Sequence, residues 1–191
     1  MRIGLFFGSF NPVHNGHLII ASYMAEFTDL DQVWMVVSPH NPLKPKHSLL
    51  QDYHRLNLVR TAIEYNRKIK ASDIEFKLPK PSYTITTLAY LNEKFPEHQF
   101  VLIMGHDSLA TLPKWKNYEQ IIEQYEIYVY PRVHDEKTDL DSHPKVKMVK
   151  APVIELSSSF IRQAIKDKKD VRYMVPESVW SSIEEMQFYQ R

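Results

Sequence analysis

The sequence has no cysteine, only four glycines and no surplus of either charge in its 191 residues. Without cysteine there can be no disulfide framework, no thiolate zinc site and no cysteine nucleophile, and the composition fits a reducing compartment. Lys and Arg number 24 against 23 Asp and Glu, a formal net charge of +1. Gripping a nucleic-acid backbone needs a basic surplus, so the balance argues against nucleic acid as a partner and leaves a small anionic ligand open. No apolar run approaches the roughly 20 residues that span a bilayer. Met1 to Phe7 carries one basic residue and an apolar run too short for a signal peptide, so the chain is expected to be cytoplasmic, with no membrane partner. With 43% hydrophobic residues, residues 1–191 are expected to form one domain, since single cores commonly serve chains of about 100 to 200 residues.

What the chain does have is alternation. Ile3 to Phe7, Gln32 to Val37, Gln99 to Met104, Tyr125 to Tyr130 and Val146 to Val149 are short apolar runs of the kind that form buried strands, with a weaker one at Ile69 to Phe76. Between them His17 to Phe27, Asp52 to Tyr65, Tyr83 to Phe95 and Tyr118 to Gln124 space apolar residues by three and four. Strand-helix alternation predicts right-handed crossovers and an α/β fold, a parallel sheet with helices on both faces. Ligands of such sheets bind at the carboxyl ends of the strands. Ser38 to Ser48, Pro131 to Pro144 and Lys166 to Asp170 have the composition of solvated loops.

The loop after the first run is Gly8-Ser9-Phe10-Asn11-Pro12-Val13-His14-Asn15-Gly16-His17-Leu18. Gly8 permits a close backbone approach to a ligand or a positive φ, Asn11-Pro12 makes a turn, and a helix starting near Gly16 leaves its first amides unpaired. Such an end suits a phosphate. His14 and His17, three apart at a helix start, project toward one spot and can donate where charge builds on a phosphoryl group. Two surface histidines on an ordinary turn, or a metal pair, are the alternatives; with no cysteine or nearby carboxylate the metal pair is disfavoured.

This string resembles the (H/T)-x-G-H signature of the nucleotidylyltransferase superfamily, and in its G-S-F-N-P form it is similar to the bacterial nicotinate mononucleotide adenylyltransferases. Further matches follow in order: Pro42-Leu43-Lys44, Pro81-Ser82-Tyr83-Thr84, Met104-Gly105-His106-Asp107, Leu112-Pro113-Lys114-Trp115 and Leu156-Ser157-Ser158-Ser159-Phe160-Ile161-Arg162. The last is close to the superfamily's I-S-S-T-x-I-R, with Leu156 for Ile and Ser159 for Thr. Asn11 stands where many relatives carry Asp, and the basic loop around Lys44 is shorter than in some of them.

The resemblance implies a single-domain, Rossmann-like, doubly wound sheet whose residues 157–191 form a C-terminal helical part. It also implies transfer of AMP from ATP, with Mg2+ on the triphosphate, to nicotinate mononucleotide, a step of NAD biosynthesis. Because the acceptor's phosphate is itself the nucleophile, catalysis then rests on holding two polyanions in line and neutralising them. The implied roles are His14 and His17 at the transferred phosphate, and Lys44 and Arg162 with Ser157 and Ser158 at the leaving phosphates. Gly8, Ser9, Phe10 and Gly16 would contact ATP through the loop, with Gly105 and Asp107 at its ribose; Tyr83, Thr84 and Trp115 would hold the pyridine mononucleotide. No side-chain cage for a metal is expected, and a homo-oligomer is compatible with the sequence. Bland readings compete: Ser157 as a helix cap, Asp107 as a turn cap, Trp115 as a core aromatic. The rival functions are a sister adenylyltransferase for phosphopantetheine or nicotinamide mononucleotide, and a nucleotide-binding domain without turnover.

Overall fold

In the computed structural model, which describes residues 1–39, 49–133 and 137–190, the apolar runs become six parallel strands. They are β1 (Arg2–Gly8), β2 (Gln32–Val37), β3 (Ile69–Ser72), β4 (Gln99–Gly105), β5 (Glu126–Tyr130) and β6 (Val146–Met148). The helices between and after them are α1 (Asn15–Phe27), α2 (Asp52–Ala62), α3 (Thr84–Lys94), α4 (His106–Thr111), α5 (Tyr118–Gln124), α6 (Ser158–Lys166) and α7 (Glu177–Glu185). The sheet order is β3-β2-β1-β4-β5-β6. The chain therefore winds outward from β1 in one direction, then returns to β4 and winds in the other. The crevice for a ligand opens where the order reverses, beyond the carboxyl ends of β1 and β4.

Strand periodicity divides the core into two layers. On β4, Val101 and Ile103 face one cluster with Met24, Val33, Leu58 and Ile161, while Phe100, Leu102 and Met104 face the other with Leu88, Leu91, Leu109 and Ile121. Both faces of the central strands are buried, which is why these strands are apolar throughout rather than alternating. The C-terminal helices join the first layer through Ile161, Ile165, Val179, Trp180 and Ile183.

Three boundaries differ from expectation. The third strand ends at Ser72 instead of running to Phe76, because the Phe76 amide donates to the Asp73 carbonyl at 2.9 Å and closes the 3-10 turn Ile74–Lys77. That turn carries Glu75 into the interior. Helix α2 stops at Ala62 and not at Tyr65: Tyr65 is fully in solvent, and Asn66 Oδ1 takes the amides of Lys68 and Ile69, which starts the next strand. The stretch from Pro131 to Pro144, expected as solvated loop, contains the 3-10 turn Asp139–Ser142, and its Asp141 bonds the buried His106 ring at 2.8 Å. Among the described residues no helix is long and apolar enough to cross a membrane.

Candidate active site

A cleft of about 400 Å³ lies at the switch point and is walled by three segments. The β1–α1 loop contributes Gly8, Ser9, Phe10, Asn11, His14, Gly16 and His17; the ends of β4 and β5 contribute Asp107, Tyr130 and Arg132; the start of α6 contributes Ser157, Ser158, Ser159 and Arg162. Residues more than 140 positions apart meet here because α6 is bonded directly to the first loop. Ser158 Oγ donates to the Pro12 carbonyl at 2.9 Å and Arg162 Nη1 to the Asn11 carbonyl at 2.8 Å.

His14 and His17 stack, with ring centroids 3.6 Å apart and planes inclined by 26°. Both belong to the start of α1, where His14 is the N-cap residue. His17 Nδ1 accepts the His14 backbone amide at 3.3 Å, so a neutral His17 carries its proton on Nε2. His14 is almost wholly buried, and its Nδ1 has no hydrogen-bond partner among the described residues. Burial, helped by the Arg132 cation, pushes its pKa down to about 4. His14 is thus a neutral imidazole at physiological pH.

The loop holds its shape through a residue that sequence reading passed over. Arg55 on α2 is completely buried and donates to the carbonyls of Ser9, Ser38, Pro39 and Leu50 and to Asp52 Oδ1, the last at 2.8 Å. One guanidinium thereby ties the loop after β1 to the chain after β2. The signal was present: Arg55 falls on the apolar stripe of α2 with Val59, where an unpaired charge would be too costly. Asn11, also buried, accepts Leu50 N at 3.2 Å and Tyr189 Oη at 2.9 Å through its Oδ1, so the last turn of the chain closes over the loop.

Gly8 does not take a positive φ; Phe10 does, at 44°, and its ring lies where a Gly8 Cβ would stand, 2.7 Å from it. The missing Cβ makes room for the Phe10 ring, and Gly8 also lines the cleft. Gly105 does not line the cleft. The space of its missing Cβ is taken by Asp107 Oδ1 and Arg132 Nε, which pair with each other at 3.4 Å. Arg132, also unremarked in the sequence, lies over the Tyr130 ring and adds a second cation to the cleft beside Arg162.

Of the other expected residues, Ser157 caps α6 by accepting the Phe160 amide at 3.1 Å. Tyr83, Thr84 and Trp115 do not line the cleft. They form a second group: Tyr83 is the N-cap of α3 and Thr84 its first residue, while Lys116, next to Trp115, lies 4.5 Å above the Tyr83 ring. Trp115 is half-buried against the second core layer, and its indole nitrogen is buried without a hydrogen-bond partner among the described residues. Lys44, with Pro42 and Leu43, lies outside the described residues.

A doubly wound sheet with two helix N-termini, two stacked imidazoles and two guanidiniums around one crevice defines a nucleotide-binding α/β protein built for phosphate chemistry. Residues 5–164 match the cytidylyltransferase-like family. Probable nicotinate-nucleotide adenylyltransferases from Flavobacterium johnsoniae and Bacteroides thetaiotaomicron are 57% and 45% identical, over 100% of both chains and over 97% of this chain and 92% of the other, respectively. The chain belongs to the cytidylyltransferase-like family and, within it, to the nicotinate-nucleotide adenylyltransferases. The fold is shared with Plasmodium falciparum nicotinic acid mononucleotide adenylyltransferase complexed with NaAD, at a TM-score of 0.84 and 20% identity over 99% of this chain and 97% of that one. Nucleotidyltransferases generally use a divalent metal. Among the described residues no three His, Asp or Glu side chains come together as metal ligands.

Proposed function

We propose that this chain, acting as one nucleotidylyltransferase unit over residues 1–191, transfers AMP from ATP to nicotinate mononucleotide. The acceptor's 5′-phosphate oxygen attacks the α-phosphorus of ATP, the bond to the β-phosphate oxygen breaks, and pyrophosphate leaves with the bonding electrons. The products are nicotinate adenine dinucleotide and pyrophosphate. The observation that carries the reading is the stacked His14–His17 pair at the start of α1, within one cleft with Arg162 at the start of α6.

In this reaction His17 Nε2–H donates to an α-phosphate oxygen as charge builds there, and neutral His14, packed beneath it, holds the ring in place. Arg162, Lys44, Arg132 and the α6 amides with Ser157 and Ser158 neutralise the leaving phosphates. The loop Gly8, Ser9, Phe10 and Gly16 gives the nucleotide its backbone contacts. Asp107 accepts the ribose hydroxyls after exchanging its partner Arg132, with Gly105 leaving space for the exchange. Tyr83 and Thr84 present the amides of α3 to the nicotinate carboxylate, and Trp115 stacks on the pyridine ring. Magnesium enters as the counter-ion of the triphosphate, since the residues named here offer cations and hydroxyls rather than a carboxylate cage. The test is the fate of ATP labelled at its α-phosphorus. Label in a dinucleotide that also contains nicotinate supports the reading; label remaining in ATP or in free AMP contradicts it.

A further inference from the structure

Among the described residues, the buried polar side chains are Asn11, His14, Arg55, Glu75, Thr87 and His106. Asn11, His14 and Arg55 build the phosphate loop, and His106 is bonded to Asp141. This leaves Glu75 and Thr87, which are bonded to each other: Thr87 Oγ1 donates to Glu75 Oε1 at 2.7 Å. Glu75, the acidic member of the set, is 2% exposed. Among the described residues no Lys or Arg pairs with it. Its neighbours are hydroxyls, those of Thr87, Ser38 and Ser82, and burial pushes its pKa up. Its second oxygen, Oε2, and Ser82 Oγ are both buried and lack a hydrogen-bond partner among the described residues.

The position of this carboxyl matters more than its burial. Glu75 sits in the 3-10 turn after β3, and Thr87 closes the first turn of α3, where its hydroxyl also lies 3.4 Å from the carbonyl of the N-cap residue Tyr83. Ser82, Tyr83 and Thr84 are the residues whose amides would meet the nicotinate carboxylate. A side chain buried there and bonded to Thr87 sets where the first turn of α3 stands, and with it the Ser82, Tyr83 and Thr84 amides.

We infer that Glu75 is a positioning residue for the acidic mononucleotide: buried and held by Thr87, its side chain braces the Ser82-Tyr83-Thr84 turn from beneath. The inference rests on the substrate assignment made above. It is tested by steady-state kinetics of Glu75→Gln, Glu75→Ala and Thr87→Val with ATP and nicotinate mononucleotide, alongside thermal unfolding of each variant. Glu75→Ala should raise KM for the mononucleotide about tenfold, with kcat and KM for ATP within about twofold, the scale of a lost hydrogen bond in a binding turn. Glu75→Gln, neutral and of the same shape, should restore KM to within about threefold. Thr87→Val should give the same selective rise and decides the matter if Glu75→Ala does not fold. A normal mononucleotide KM in Thr87→Val, equal weakening toward both substrates, or a Gln variant as impaired as the Ala variant would overturn the role. Wild-type turnover measured in parallel separates the two claims. Its absence with nicotinate mononucleotide overturns both, whereas normal wild-type turnover with insensitive variants overturns Glu75 alone.

Discussion

His14 and His17 lie ring on ring, 3.6 Å between centroids, and only one of them can bear charge at modest cost. Two imidazolium rings at this separation would repel strongly in a partly desolvated cleft. Burial and Arg132 settle which one stays neutral: His14, with its pKa near 4. The pair is therefore built as a support and a donor, and the first two predictions treat the two histidines separately.

Neutral burial of His14 makes stability depend on pH. Its pKa is about 4 in the folded chain and 6.5 when exposed, so between these values the unfolded state binds more protons and stability must fall as pH falls. The contribution is complete above about pH 6.5 and declines toward pH 4, for a total loss of about 3 kcal/mol. Urea unfolding of the wild type at pH 7, 6 and 5 should follow this trend, and His14→Gln should flatten it. Parallel pH profiles for the two proteins would show that His14 is not buried neutral.

His17 is expected to act on the transition state rather than on folding. His17→Ala should reduce kcat by roughly 10² to 10³, as removal of one preorganised donor does, while circular dichroism and melting temperature stay close to wild type. His14→Ala should also lose activity, and the double variant should fall short of the product of the two losses because the rings act as a unit. A near-normal kcat in His17→Ala would remove it from the chemistry.

Trp115 separates the two halves of the reaction. Trp115→Ala should raise KM for the pyridine mononucleotide by the loss of a stack of about 0.5 to 1.5 kcal/mol beyond area burial, with KM for ATP unchanged. Equal weakening toward both substrates, or a large drop in melting temperature, would make Trp115 a core residue, which its packing against the second layer would then explain.

The strands were readable because their buried faces demand continuous apolar runs; the strand Gln32–Val37 matches the residues expected for it, as does the helix Tyr118–Gln124. The ends that depend on a single hydrogen bond were not. Nothing in the run from Ile69 to Phe76 announces that Asp73 closes a turn there, and Glu75 is interior for that reason alone. At the site, Gly8, Phe10, His14 and His17 of the first loop and Ser158 and Arg162 of the last motif line one cleft, since adjacent loops at the carboxyl edge converge. Arg132 escaped because its partner is a carboxylate distant in sequence, which no local spacing encodes; Arg55 was marked by its place on the apolar stripe of α2, but the carbonyls it holds were not.

The most direct measurement is pyrophosphate release from ATP in the presence of nicotinate mononucleotide, nicotinamide mononucleotide, phosphopantetheine or buffer. On the proposed function, discrimination between the two mononucleotides would fall to amides at the start of α3, and charge-assisted bonds of about 1.5 to 3 kcal/mol correspond to roughly 10- to 150-fold. The account predicts release with nicotinate mononucleotide at a kcat/KM at least about tenfold above the amide, with no release for phosphopantetheine or buffer. Lys114→Ala and Lys116→Ala should each keep most of that preference, because the donors are backbone groups. Release driven by phosphopantetheine, comparable values for acid and amide, or no release with any acceptor would contradict it.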